Sequence, residues 1–350
     1  MNGKLKLLST NQKANLYSVE NLSDSKVKKF IVTTPQTRAI CNDPFVTGIR
    51  YTRDLSHACS LTLRLLKESG NFKGLENTTS VFHILRGGLN FGLRDALADA
   101  YTWNDHPSAF ISAQRARKSD NPEDWFISES SYKKVHFTSQ NDIVFGDVVA
   151  TGTSLEYALR EIGEIATEQK VEISSLLFFT IGGPRSHEII ESVDAEYRKR
   201  FKSYRGASVV YIEGIFAVAQ VESRLSIKIG GTDLLRTEAL LAPEFIESQY
   251  ENPSFPLERC TIYDAGSRSF DILEYMEDVA DYWSQTLKLS QSGMTYKNLL
   301  QERFPELASN RFESIDLINL CEMQIAKSSK FLIGASLTGI VQSHKNAHNE

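Results

Sequence analysis

The chain has 350 residues, of which 41% are hydrophobic and 24% charged, an ordinary globular composition with room for a full core. Its net charge of −5 argues against a dominant nucleic-acid surface, so any anionic ligand must be met by locally placed cations. The four cysteines, Cys41, Cys59, Cys260 and Cys321, are scattered without a C-x-x-C pair, which speaks against a zinc ribbon or a disulfide framework.

The first residues, Met1-Asn-Gly-Lys-Leu-Lys6, lack the apolar run of a signal peptide, so a cytoplasmic location is expected. Residues 1–50 read as a polar, irregular segment with a strand-like cluster at 30–33. A helix is expected from Leu55, with Cys59, Leu61, Leu63, Leu65 and Leu66 on its apolar face and Gly70 at its end. Alternation then sets in. Strands are predicted at 80–85, 109–113, 143–145, 174–181 and 207–212, with a short one at 135–137. Helices are predicted at 89–101, 153–167 and 185–202, and the charged stretch 115–133 reads as a long loop. Strand and helix in turn specify an α/β fold, a parallel sheet flanked by helices on both faces. From 272 to 327 helical patterns dominate, which reads as a C-terminal helical extension or cap. The division is then 1–50, a core at 51–230, and 231–350. The apolar run 331–341 is too short to span a bilayer and reads as a buried core segment, so no membrane partner is expected.

Two loops at predicted strand ends carry chemistry. Arg86-Gly87-Gly88 follows the strand at 80–85, and its glycines allow close backbone approach beside a forked guanidinium. Ala150-Thr-Gly-Thr-Ser154 follows a buried run and opens a helix, which aims N–H groups and hydroxyls at one point and suits a phosphate. Either loop alone also reads as a tight turn. A parallel sheet brings both to the same edge.

Gly146-Asp-Val-Val-Ala-Thr-Gly-Thr-Ser154 resembles the phosphoribosyl-diphosphate signature of the type I phosphoribosyltransferases, and Ile84-Leu-Arg-Gly-Gly-Leu89 their pyrophosphate loop. The flavour is nearest the uracil branch, and the likeness covers 80 to about 215. It implies that Ala150, Thr151, Gly152, Thr153 and Ser154 cradle the 5-phosphate. It implies that Asp147 binds the ribose hydroxyls and helps place magnesium, and that Arg86, Gly87 and Gly88 bind pyrophosphate. The family's mobile loop corresponds to 115–133. Arg115, Arg117 and Lys118 in it would neutralise the leaving group, although they also read as a solvated charge run.

One departure stands out: the family usually has two consecutive acids where this chain has Gly146-Asp147. The acceptor side is less legible. Tyr211, Asp264 and Gly266 are candidates, the last two in a segment that also reads as an ordinary turn with Gly266 at positive φ. Gly182-Gly-Pro-Arg185 and Gly230-Gly-Thr-Asp233 are further glycine turns. His83 reads as a hydrogen-bonded core histidine. The resemblance implies a magnesium-dependent transfer of ribose 5-phosphate from phosphoribosyl diphosphate to a nitrogenous acceptor, with pyrophosphate released, and a homodimer. The alternative is a non-catalytic regulator that keeps the phosphate pocket, motivated by Gly146.

Overall fold

Short apolar runs bounded by glycine and polar turns build the strands, and amphipathic stretches between them build the helices. The computed structural model describes residues 3–11, 13–117, 125–228, 233–261 and 268–335. In chain order the first elements are β1 (Lys4–Thr10), β2 (Asn15–Glu20), β3 (Lys28–Thr33), α1 (Pro35–Asn42) and α2 (Gly48–Glu68). Next come β4 (Thr79–Leu85), α3 (Leu93–Tyr101), β5 (Ser108–Ser112), β6 (Gln114–Arg117), β7 (Trp125–Glu129), β8 (Lys133–Lys134) and β9 (Gln140–Val149). Then follow α4 (Thr153–Glu168), β10 (Glu172–Gly182), α5 (Arg185–Arg200), β11 (Gly206–Val218), β12 (Asp233–Leu241), α6 (Pro243–Ser248) and β13 (Cys260–Thr261). The chain closes with α7 (Ile272–Gln291), α8 (Tyr296–Arg303) and α9 (Leu317–Ala335).

The central sheet has eleven strands in the order β1-β2-β3-β11-β10-β9-β4-β5-β8, with β12 and β13 joined through β11. Its six middle strands, β3 to β5 in that order, run parallel. Helices flank both faces, as expected for α/β winding. The alternating strands β4, β5, β9, β10 and β11 stand in space as β5-β4-β9-β10-β11. The direction of winding therefore reverses between β4 and β9, and that is where such sheets open a crevice for ligands. The ladder between the two strands stops at Phe82↔Phe145, although both run on toward their carboxyl ends. The crevice begins there. Below it, Phe145 stacks on Phe178 at 4.7 Å and packs against Phe82 at 6.0 Å, which closes the floor with aromatic rings.

Several expectations are corrected. The first fifty residues are not irregular: β1, β2 and β3 extend the sheet, and α1 and α2 follow. Residues 115–133 are not a plain loop, because β6 and β7 pair as a hairpin beside α4. No strand forms at 135–137; the short one is β8. After residue 230 the chain still supplies β12, antiparallel to the far half of β11. In the run from Phe331, Phe331 and Leu332 pack half-buried against the core but Ile333 is 69% exposed; 336–341 lies outside the described residues. No helix among the described residues is long and apolar enough to cross a membrane. The C-terminal elements are anchored onto the sheet side: Arg268 donates to the carbonyls of Val46 (2.7 Å) and Asp43 (2.6 Å), and buried Trp283 donates to Glu258 at 3.0 Å.

Strand β11 bends at Glu213, whose φ of +63° is left-handed. Its first half pairs with β3 and β10, its second with β12. The Glu213 side chain is fully buried; one oxygen accepts from Thr37 Oγ1 and, at 3.3 Å, from the Thr34 N–H, while Oε2 has no partner. Burial raises its pKa to about 8. Because the folded value lies above the unfolded one, its contribution to stability is full below pH 4.5 and is lost as pH rises toward 8. Glu213→Gln keeps the accepting oxygen and removes the titration. Thermal melts between pH 5 and 8.5 should show a flatter stability profile for this variant, by up to about 1.4 kcal/mol per pH unit. An unchanged slope would remove Glu213 as its source.

Candidate functional site

The phosphate-type loop is shaped by what lies behind it. β9 ends at Val149, the chain turns through Ala150, Thr151 and Gly152, and α4 starts at Thr153. Gly152 has φ +76°, and a Cβ there would overlap Ile189 of α5, so both the backbone and the packing demand glycine. Gly152 has no side chain to cap α4, and the first helical bond runs from the Glu156 N–H to the Gly152 carbonyl at 2.9 Å. The N–H groups of the first turn are therefore presented to solvent or to an anion. The hydroxyls of Thr151 and Thr153 lie 3.4 Å apart over this turn. Ser154 differs: its hydroxyl donates to the Ala113 carbonyl at 2.9 Å and ties the loop to the end of β5.

The second loop meets the end of β9, just before the first. After β4 the chain passes a cis peptide at Leu85–Arg86 and makes a tight helical turn over Gly87–Phe91. A Cβ on Gly87 would stand 3.3 Å from Asp147 Oδ1, and one on Gly88 would stand 3.0 Å from the Gly146 carbonyl oxygen. Asp147 is half-buried, and its Oδ1 accepts the Val148 N–H at 2.9 Å. The Arg86–Gly88 corner thus closes on the Gly146-Asp147 stretch of β9, three residues before the loop at 150–152, with the Asp147 carboxylate beside Gly87. Arg86 reaches outward, pairs with Asp271 at 3.0 Å just before α7, and lies over the Phe270 ring at 5.3 Å.

Gly146 has its own reason. A Cβ there would overlap the Phe91 ring, which is fully buried at the base of the crevice. Gly146 and Asp147 point to opposite faces of the sheet, as strand geometry requires. On the face toward α2 and α3 the room at 146 is filled by phenyl; on the other stands a carboxylate. Phe91 had no signal in the sequence, because its role is defined only by a residue 55 positions away.

The phosphate loop also borders a cavity of about 740 Å3 whose walls include Ala150, Thr151, Arg185, Val218 and Glu238. Arg185 brings a cation to this wall, steadied by Glu156 at 3.1 Å and Glu188 at 3.5 Å. The glycine turn at 182–185 therefore does reach the same sheet edge. The β12 side of the cavity was unreadable from the sequence, because that segment was expected to be part of a helical cap.

Other predicted residues fall as follows. Arg115 and Arg117 lie in β6, opposite Ile127 and Trp125. Lys118, Asp264, Gly266 and three of the four residues of the 230–233 turn lie outside the described residues. Tyr211 does not follow the last core strand; it lies within β11, fully buried, with its hydroxyl 2.9 Å from His187 Nδ1. His83 is buried as expected and stacks on Phe110 at 4.9 Å, but its Nδ1 has no hydrogen-bond partner, and burial holds its pKa down near 4. Asp142 sits at the amino end of β9, paired with Arg205, far from the loops.

No family model and no curated protein matches the sequence. Solved structures similar to the chain include a hypoxanthine phosphoribosyltransferase from Staphylococcus aureus, 13% identical over 49% of this chain and 78% of that one, with a TM-score of 0.25. A hypoxanthine-guanine phosphoribosyltransferase from Bacillus anthracis is 18% identical over 47% and 79%, with a TM-score of 0.25. A hypothetical protein from Neisseria gonorrhoeae with bound ppGpp is 13% identical over 39% and 68%, with a TM-score of 0.24. No uracil enzyme stands among these three, so the uracil flavour of the loops has no counterpart in them. At such low identity and TM-score the likeness carries no argument about the site.

Proposed function

We propose that the chain is a magnesium-dependent phosphoribosyltransferase that moves ribose 5-phosphate from phosphoribosyl diphosphate to a nitrogenous base or related amine. The observation that carries the reading is the contact between Gly87 and the Asp147 carboxylate at the winding reversal, with the uncapped start of α4 beside it. In this reading the first turn of α4, with Thr151 and Thr153, holds the 5-phosphate. Asp147 orients the ribose hydroxyls. Arg86 and the backbone at Gly87 and Gly88 receive the pyrophosphate, and Arg115, Arg117 and Lys118 add positive charge as it leaves. The acceptor nitrogen forms its bond to C1 as the C1–O bond breaks, and the electron pair departs with pyrophosphate.

Among the described residues no cluster of three or more His, Cys, Asp or Glu forms a metal cage. Magnesium is commonly held by one or two carboxylates together with substrate oxygens. Asp147 would hold it here, and when bound it would offset charge on the diphosphate. Asp147→Asn should weaken magnesium-dependent binding of phosphoribosyl diphosphate by tenfold or more in calorimetry, at unchanged melting temperature. Equal affinity would remove Asp147 from the site.

A second reading has its own observation. Phe91 against Gly146 leaves no room for a second acid beside Asp147, which suits a binding protein that senses the sugar diphosphate without turning it over. A pyrophosphate-release screen with purines, pyrimidines and small amines separates the two. Release with any acceptor supports the enzyme; tight binding without release across the panel supports the regulator; no binding with or without magnesium removes both.

A further inference from the structure

The opposite edge of the sheet carries a feature that the carboxyl-edge site does not use. At the amino ends of β10 and β11, where Ser175, Leu176 and Leu177 pair with Gly206, Ala207 and Ser208, a hollow of about 200 Å3 opens. Lys26, Lys28, Lys73 and Arg205 line it, contributed by the approach to β3, the loop after α2 and the start of β11. No carboxylate is among the lining residues. Asp142, which touches two of the lining residues, is buried and bonded to Arg205, Ser175 and Thr78. Two of the cations are held in place: Arg205 by that carboxylate, and Lys28 by Asn71 Oδ1 at 2.9 Å.

With Arg205 paired to Asp142, Lys26, Lys28 and Lys73 bring three further positive charges to a hollow with no carboxylate among its lining residues, which favours an anion there. The nearby end of α2 does not offset them. Its terminal carbonyls, from Leu65 to Lys67, accept N–H groups of residues 69–72 and are turned back on themselves. Gly70, at φ +69° with open space on its Cβ side, keeps the mouth clear. We propose that this hollow is a second anion site, taking a small phosphorylated molecule. The small size and convergence of the cations favour a compact ligand over an extended nucleic acid, which binds along a stripe of charge. The site lies roughly 20 Å along the strands from the loop at Gly152, about seven residues of extended chain. It therefore stands whether or not the carboxyl edge is a phosphoribosyl site.

The test is a titration of the full chain with inorganic pyrophosphate, followed by amide chemical shifts. Gly70, Asn71, Gly206 and Ser208 report the hollow; Gly152 and Thr153 report the other edge separately. The first set should saturate, with a midpoint at least tenfold higher in the Lys28→Ala/Lys73→Ala variant, while the second set responds equally in both. Both lysines are exposed, and a matching melting temperature checks that the variant is folded. The proposal is overturned if the first set does not move, or if its midpoint is the same in the variant. Equal shifts with sodium chloride at the same concentration would mean an adventitious ion only and would also overturn it. Saturation by a single-stranded RNA oligomer at lower concentration than pyrophosphate would assign the surface to nucleic acid instead.

Discussion

Gly152→Val should abolish binding of phosphoribosyl diphosphate and destabilise the chain by about 3 kcal/mol. Two effects add. A β-branched residue is strained at φ +76°, and its Cβ overlaps Ile189 of α5. The glycine is thus required by its own backbone and by the helix behind it, before any ligand arrives. Either repair, a shifted α5 or a reset φ, would turn the first N–H groups of α4 away from their common point. Adding Ile189→Ala removes the overlap and leaves the strain, so the double variant should recover part of the stability and little of the binding. Denaturant unfolding and calorimetry read both quantities. Wild-type affinity in Gly152→Val would show that the loop does not hold the ligand.

The second large effect is expected at Gly146. Gly146→Asp forces a carboxylate into the Phe91 ring, an overpacked and unpaired buried charge, and should cost more than 3 kcal/mol. Activity of that single variant is therefore uninformative about the missing acid. The informative protein is Gly146→Asp/Phe91→Ala, in which the carboxylate at 146 takes the space that the phenyl leaves, on the face opposite Asp147. Phe91→Ala alone should destabilise by about 3–5 kcal/mol. If the second acid is what the site lacks, the double variant should bind phosphoribosyl diphosphate more tightly with magnesium than Phe91→Ala does. It should also release pyrophosphate where the parent does not. If the parent already turns over, the phenyl is a working part of the enzyme, and the double variant should be slower.

These two glycines also mark how far the sequence could be read. Strands β4, β9 and β10 were legible because each carries a short apolar run, Val81-Phe82, Ile143-Val-Phe145 and Leu176-Leu-Phe-Phe179, buried on both faces. The phosphate loop was legible because its pattern is local. The reason for Gly146 was not, because Phe91 lies 55 residues earlier and joins it only through the fold. Strand β1 was missed although Lys4-Leu-Lys-Leu7 alternates, because the alternation is short and five of its seven residues are exposed at the end of the sheet order. The strand predicted at 207–212 covers only the first part of β11, which runs on to Val218 past a buried glutamate at a left-handed bend. The β6–β7 hairpin was hidden by its charge, which at sequence level is indistinguishable from a loop.

The ion pair between Arg86 and Asp271 gives the crevice a resident competitor. Any diphosphate that recruits this guanidinium must take it from a carboxylate of the same molecule, so observed affinity is an exchange constant and not a free association. Both partners are about half exposed, and a pair of that kind holds roughly 0.2–1 kcal/mol. The displacement therefore weakens apparent binding by no more than about fivefold. It also means that the segment entering α7, though distant in sequence, is informed of whether the crevice is filled.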